Sequence, residues 1–381
     1  MVNITNTADG GGFMRYQRED GCRAWLTYGQ LKPEALNALL TEEGSAEAIY
    51  DHLLRDGSGF LSPYATAQQR EILQSKARPE AMHEMMLVMR RLNLGILSME
   101  DYGYPDALRT IADPPPLLFF QGNPDCLMGR CVAMVGSRRA SPNTIEAAKA
   151  IACGLSRSGV TIVSGLALGI DTAAHQGCLE GGSPTAAVLG CGMDVDYPVE
   201  NAQLRRQIVE RGGVLLSEYP PGTPALGWHF PVRNRILSGL CKGVIMMEAR
   251  IRSGSMTTVN HALDQGREVF AYPGNIGSEY AEGAHQLLRD GAIYFTGAGD
   301  VLQDLGWAEE QPAPSAAQKA ELPPMSAEQR KVYQLLSRQE MSFDELAEAS
   351  DLDTPTLSGA LTMLQILGLV RSMPGKTYGK I

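Results

Sequence analysis

The chain has no run of apolar residues approaching the ~18 needed to cross a membrane as a helix. Its first thirteen residues are polar and glycine-rich, lacking the basic start and apolar stretch of a secretory signal. Both absences point to the cytoplasm. The cysteines, Cys22, Cys126, Cys131, Cys153, Cys178, Cys191 and Cys241, are odd in number and scattered. That excludes a regular disulfide framework and fits reduced thiols. Cys126 and Cys131 flank a short turn, but no second Cys or His pair lies nearby to complete a four-ligand zinc site.

Nucleotide and catalytic signatures are missing too. No G-x-x-x-x-G-K-[ST] loop occurs, which argues against a Walker-type ATPase. Gly190-Cys191-Gly192 is followed by Val195 where a dinucleotide fingerprint needs a third glycine. There is no G-x-S-x-G elbow. An enzyme needs a nucleophile or general base with a partner, and no convincing pair is present. Asp171 and His175, four apart on one predicted helix face, read as a capping and a packing residue. The expectation is a protein without catalytic residues, metal or cofactor.

A positive balance is also lacking. Lys and Arg number 33 against 43 Asp and Glu, a formal charge of −10. The deficit is uneven: residues 129–308 are close to neutral, and many of their arginines lie beside Gly/Ser turns. Global charge governs solubility and long-range steering, whereas a local patch can still bind phosphate. Net acidity therefore does not exclude nucleic acid.

What is present divides the chain into segments. Residues 1–19 read as a disordered lead-in. Residues 20–98 read as a small helical domain, with Leu31, Ala35, Leu39 and Leu40 at helical spacing and a second periodic run from Met82 to Leu92. The Pro114-Pro115-Pro116 run blocks helix and marks a rigid connector. Residues 99–308 alternate short apolar strands with helix-like segments. The strands are predicted at Val132–Val135, Val160–Val163, Thr185–Leu189, Gly213–Leu216, Val244–Met247 and Val269–Tyr272. Near-continuous apolar strands are those buried on both faces of a parallel sheet, so the class is α/β, Rossmann-like and doubly wound. Residues 309–324 are rich in proline and alanine without periodicity and read as a linker. Three helix candidates and a strand-like tail then fill residues 325–381, the order of a winged helix-turn-helix.

In such a sheet, ligands sit beyond the carboxyl ends of the strands. Those ends carry Gly136-Ser137-Arg138-Arg139, Ser164-Gly165-Leu166-Ala167-Leu168-Gly169, Gly190-Cys191-Gly192, Ser217-Glu218 and Glu248 with the Arg252-Ser253-Gly254-Ser255 turn. Glycines at strand ends also serve tight turns with no ligand involved. The arginines at several of these turns favour phosphate, because a guanidinium fork and the amides of a helix N-terminus both hold anions. Arg233 and Arg235 precede one strand, and Arg250 and Arg252 follow it.

In order and spacing these residues resemble the DNA-processing protein A family (DprA/Smf). The resemblance runs from Val135-Gly136-Ser137-Arg138 through Ser164–Asp171 with His175, Tyr197-Pro198 and Ser217-Glu218. It continues through Phe230-Pro231-Val232-Arg233-Asn234-Arg235, Glu248-Ala249, Ser253-Gly254-Ser255 with Thr258, Gly266-Arg267 and Tyr272-Pro273-Gly274. It spans roughly residues 100–305. It implies a homodimeric, sequence-tolerant binder of single-stranded DNA that helps load RecA recombinase during natural transformation, displacing single-strand-binding protein. On that basis Ser137, Arg138, Ser164, Gly165, Arg233, Asn234, Arg235, Arg252, Ser253 and Ser255 fall where relatives approach phosphates. Gly136, Ala167, Gly169 and Gly254 share their turns and complete the candidate set.

Two other functions fit the sequence less well. A nucleoside-monophosphate phosphoribohydrolase uses a related α/β fold, but its Pro-Gly-Gly-x-Gly-Thr run and following glutamate are replaced here by Ser253-Gly254-Ser255-Met256-Thr257-Thr258. A duplex-reading transcription factor would need cations on the recognition helix, and Thr354–Leu367 contains neither Arg nor Lys.

Overall fold

The computed structural model describes residues 16–275, 277–308, 325–336, 341–367, 369–373 and 377–380. Residues 1–15 and 309–324, read from sequence as lead-in and linker, lie outside the described residues. Arg18, placed in the lead-in by sequence, already begins a helix. The chain divides into two compact units, residues 1–308 and 309–381.

The first unit opens with five helices: α1 (Arg18–Leu26), α2 (Pro33–Glu43), α3 (Ala46–Asp56), α4 (Ala67–Lys76) and α5 (Pro79–Leu92). Capping is local and legible. Pro33 and Pro79 sit at the first helical position, and Thr66 forms a capping box with Gln69. Their apolar faces do not form an isolated core. Trp25, Leu26, Leu39, Ile49 and Met89 pack in one cluster with Ala187, Leu189 and Leu215 of the main sheet.

That sheet has nine strands: β1 (Gly95–Ser98), β2 (Leu117–Gly122), β3 (Cys131–Val135), β4 (Thr161–Ser164), β5 (Thr185–Leu189), β6 (Val214–Ser217), β7 (Gly243–Met246), β8 (Glu268–Ala271) and β9 (Ile293–Tyr294). Their order is β1-β2-β6-β5-β4-β3-β7-β8-β9, parallel from β6 to β9 and antiparallel at β1 and β2. The six strands expected from sequence are all present. Gly95–Ser98, which the sequence reading assigned to the helical segment, is instead the edge strand of this sheet. Its register with Leu117–Phe120 also turns the stretch after the proline run into a strand.

Side-chain alternation sorts each strand between two layers. Along β3, Cys131, Ala133 and Val135 enter one cluster while Val132 and Met134 enter the other. The helices covering the sheet are α6 (Asp106–Arg109), α7 (Pro142–Arg157), α8 (Ile170–Gly181), α9 (Ala202–Glu210), α10 (His229–Gly239), α11 (Gly254–Asp264), α12 (Glu282–Arg289) and α13 (Ala298–Asp304). Leading outward in one direction from β3 come β4, β5 and β6; in the other come β7, β8 and β9. The order therefore reverses between β3 and β7. That is the topological switch point, where the loops after two adjacent strands diverge to opposite faces and leave a crevice.

The second unit holds α14 (Ala327–Leu336), β10 (Met341–Ser342), α15 (Phe343–Ser350), α16 (Thr354–Ile366), β11 (Val370–Met373) and β12 (Thr377–Lys380). Its antiparallel sheet has the order β10-β12-β11, and Leu346, Leu357, Leu361, Leu364 and Val370 form its core. Helices followed by a terminal hairpin are the winged-helix arrangement. Among the described residues, no helix is long and apolar enough to cross a membrane.

Candidate nucleic-acid interface

At the switch point lies a cleft of about 380 Å³. The loop after β3 supplies Gly136, Ser137, Arg138 and Arg139; the loop after β7 supplies Arg250 and Ser253 to Ser255; α10 supplies Phe230, Arg233 and Asn234. Ala167, Asp171, Thr258 and Tyr280 close it.

Backbone pairing fixes this frame. The amide of Ser137 donates to the carbonyl of Glu248 at 2.6 Å, prolonging the β3–β7 ladder one step. The Ser137 carbonyl accepts from Ile170 N at 3.2 Å, tying the same loop to α8. The Ser255 hydroxyl donates to the Gly136 carbonyl at 2.8 Å, which anchors the start of α11 to the end of β3. Asn234 Nδ2 donates to Thr257 Oγ1 at 2.7 Å and to the Gly254 carbonyl at 3.2 Å. Asn234 thus holds the first turn of α11 in place.

The helices α7, α8 and α11 begin beside this cleft, and each begins with amides that have no intrahelical acceptor. At α7, Glu248 accepts from both the amide and the hydroxyl of Ser141, each at 3.1 Å, and Ser141 in turn caps Thr144 N. At α8, Asp171 accepts from the amides of Gly165 and Ala167, each at 3.2 Å. The α7 start is thus served by a carboxylate of the protein itself, whereas Asp171 holds the loop before α8, whose N-cap Gly169 makes no side-chain cap bond. The start of α11 has no carboxylate bonded to it among the described residues. Ser253 stands at its N-cap with extended backbone but makes no side-chain cap bond, and its buried hydroxyl has no hydrogen-bond partner. An open helix N-terminus attracts anions through its free amides and the helix dipole.

Charge around this opening is positive. Arg138 and Arg139 are exposed, as are Arg250 and Arg252. Arg138 lies over the Phe230 ring at 5.3 Å from its centroid. Arg252 stands in the turn before Ser253 but outside the residues that line the cleft.

Arg233 reaches the same cleft from beneath. It is buried, 4% exposed, and donates Nη1 to the Val188 carbonyl. Burial pulls its guanidinium down to about 10, with the Asp171 carboxylate opposing that shift. Burial likewise raises Asp171, and the effect outweighs the nearby Arg233 charge. His175 is also fully buried and is pushed down to about 3 by burial, then by Arg233. It is a neutral core residue whose Nδ1 meets Thr185 Oγ1 at 2.8 Å.

Four residues of the candidate set make contacts of other kinds here. Ser164 has no exposed surface, and its hydroxyl donates to the Met134 carbonyl at 2.7 Å. Gly165 is a close-approach position: an added Cβ would lie 2.4 Å from Arg233 Nη1. Gly169, at φ 77°, passes the Ser137 carbonyl so closely that a Cβ would lie 2.3 Å from it. Arg235 faces away altogether. Its Nη1 and Nη2 pair with the Glu218 carboxylate at 2.9 and 2.6 Å, and its Nε donates to the Asp113 carbonyl at 2.9 Å. Burial opposes its charge, and Glu218 more than compensates, so its pKa is raised. It lines a different cavity, of about 560 Å³, together with Leu31, Lys32 and Trp228.

Arg139, Arg250 and Tyr280 also line the cleft, beyond the residues expected from sequence. The first two adjoin chosen residues and carry the right charge. Tyr280 gives no local signal, because it arrives on the loop after β8.

The chain is similar to known proteins over both of its units. Residues 95–306 match the family model of DNA recombination-mediator protein A, and residues 311–376 match the DprA winged helix domain. DNA processing protein DprA of Streptococcus pneumoniae is 46% identical over 207 residues, covering 54% of this chain and 73% of that protein. Protein Smf of Escherichia coli is 38% identical over 283 residues, covering 71% and 74%. The crystal structure of the S. pneumoniae protein superposes with a TM-score of 0.63 at 34% identity, covering 76% of this chain and 99% of that one. DNA processing protein A of Helicobacter pylori, whose structure describes a single-stranded DNA binding mode, gives 0.51 at 29% identity, covering 56% and 96%. With its α/β domain and its winged helix both matched in sequence, the chain belongs to the DNA recombination-mediator protein A (DprA/Smf) family.

Proposed function

We propose that this chain binds single-stranded DNA without reading its sequence, seating phosphates on the N-terminus of α11 and on the arginines around it. The open α11 terminus carries this reading: Ser253 makes no cap bond there and its buried hydroxyl has no partner, whereas a carboxylate already serves the α7 start. Backbone amides and arginines track a phosphate chain irrespective of base. The H. pylori relative's binding mode supports the choice of a single strand over a free nucleotide.

Family membership supports a wider role. A strand held in this way is protected and presented to a RecA-type recombinase, with single-strand-binding protein displaced, in DNA recombination or natural transformation. The acting form is a homodimer in the cytoplasm. No cofactor and no bond-breaking step are part of the proposal. The winged helix serves protein contact rather than duplex readout, since α16 brings neither Arg nor Lys.

A titration of labelled oligo-dT and of a duplex of equal length, at several salt concentrations, tests the reading. The single strand binds tighter, and log K falls with log salt by about 0.7 per phosphate neutralised. Arg138→Ala lowers both the affinity and that slope. Equal affinity for duplex and single strand, or an Arg138→Ala slope equal to that of the parent, contradicts it.

A further inference from the structure

One of the cleft's arginines is not free. Arg250 Nη2 lies 2.5 Å from Glu279 Oε1 and 3.0 Å from the Tyr280 hydroxyl, and its guanidinium carbon sits 4.6 Å from the centre of the Tyr280 ring. The tyrosine face positions the cation while the glutamate neutralises it from the edge. Among the described residues, Arg138, Arg139 and Arg252 have no carboxylate within ion-pair distance. Of these four exposed arginines, Arg250 alone pairs with a carboxylate among the described residues.

Both members of that pair are half exposed, with side chains at 51% and 58%. An ion pair in that setting is weak and readily exchanged. A phosphate approaching the cleft presents Arg250 with the same kind of oxygen that Glu279 does. We infer that Glu279 is an affinity-setting residue of the DNA cleft, an internal carboxylate that competes with backbone phosphate for Arg250. Tyr280 retains the guanidinium while the carboxylate gives way, so the arginine exchanges anions without leaving the rim. Binding at this corner releases a side chain of the protein instead of a counterion, which lowers affinity and softens the response to salt. The inference rests on the proposal that the cleft receives single-stranded DNA.

The test is a cycle of oligo-dT titrations across salt with the full-length parent chain, Glu279→Gln, Arg250→Ala and the double variant. Arg138→Ala is run alongside, and thermal melts establish that each variant is folded. Glu279→Gln is expected to bind about two- to fivefold tighter, the range into which an exposed ion pair converts, and to show a steeper salt slope. Arg250→Ala binds more weakly, and in its background Glu279→Gln has no further effect. Equal affinity for the parent and Glu279→Gln, with Arg250→Ala weakened, overturns the competition and leaves the cleft assignment standing. A gain from Glu279→Gln that persists without Arg250 also overturns it, since that is removal of bulk charge. If neither Arg250→Ala nor Arg138→Ala changes binding, the cleft assignment itself fails, and this inference with it.

Discussion

Arg233 and Arg235, two positions apart on α10, face different cavities and have different partners. Arg233 lies under the switch-point cleft with its guanidinium against Gly165 and the Val188 carbonyl. Arg235 is clamped by Glu218 on the opposite side, next to the N-terminal helices. A helix turns about 100° per residue, so positions two apart point about 200° from each other. One helix therefore separates the switch-point cleft from a structural ion pair.

Arg235→Ala accordingly reads out in stability. Removing it leaves Glu218 partly buried without its cation, a change that costs about 2 kcal/mol. Chemical denaturation is expected to show that loss, while oligo-dT affinity and its salt slope stay at the parent values. A flattened salt slope in this variant would place Arg235 on the strand after all.

Gly165 and Arg233 are expected to be coupled. Gly165→Ala brings a Cβ within 2.4 Å of a buried guanidinium, and overpacking of this kind costs about 1–3 kcal/mol. Combining it with Arg233→Ala, which removes the obstructing group, gives a destabilisation smaller than the sum of the single variants. Strict additivity in urea denaturation would show that the two do not touch.

His175 gives the stability a dependence on pH. Its folded value, about 3, lies below the ordinary 6.5, so between these limits the unfolded chain binds the extra proton. Its contribution is full above pH 6.5 and is lost as pH falls toward 3, with a slope of up to about 1.4 kcal/mol per unit. Asp171 acts with the opposite sign: its raised value makes folding most favourable on the acid side of its transition. In His175→Asn, which keeps a donor for Thr185, the acid limb of urea midpoint against pH should flatten. An unchanged limb would assign the acid sensitivity to other groups.

Much of this architecture is legible in the sequence because parallel strands buried on both faces announce themselves as apolar runs. β1 and β2 escape that rule. Gly95–Ser98 is a short edge following a helix, and Leu117–Gly122 stands directly behind a proline run that reads as connector. The site was legible as a set of turns, since the sheet gathers the ends of its strands on one edge. Which residues on those turns face the cleft was not. Ser164 is the last residue of its strand and turns into the core, and the phase of α10 separates two arginines that look like a pair. Tyr280 and Glu279 come from a loop with no glycine-arginine pattern to mark it.

The central claim is that phosphate occupies the start of α11, and Ser253→Asp tests it most directly. Aspartate is a good N-cap that places its own carboxylate on those amides. The variant should be at least as stable as the parent in denaturation, yet bind oligo-dT roughly tenfold more weakly, about 1.4 kcal/mol. Parental affinity in a stably folded Ser253→Asp chain would contradict the account, because the anion site would then be filled without loss of the strand.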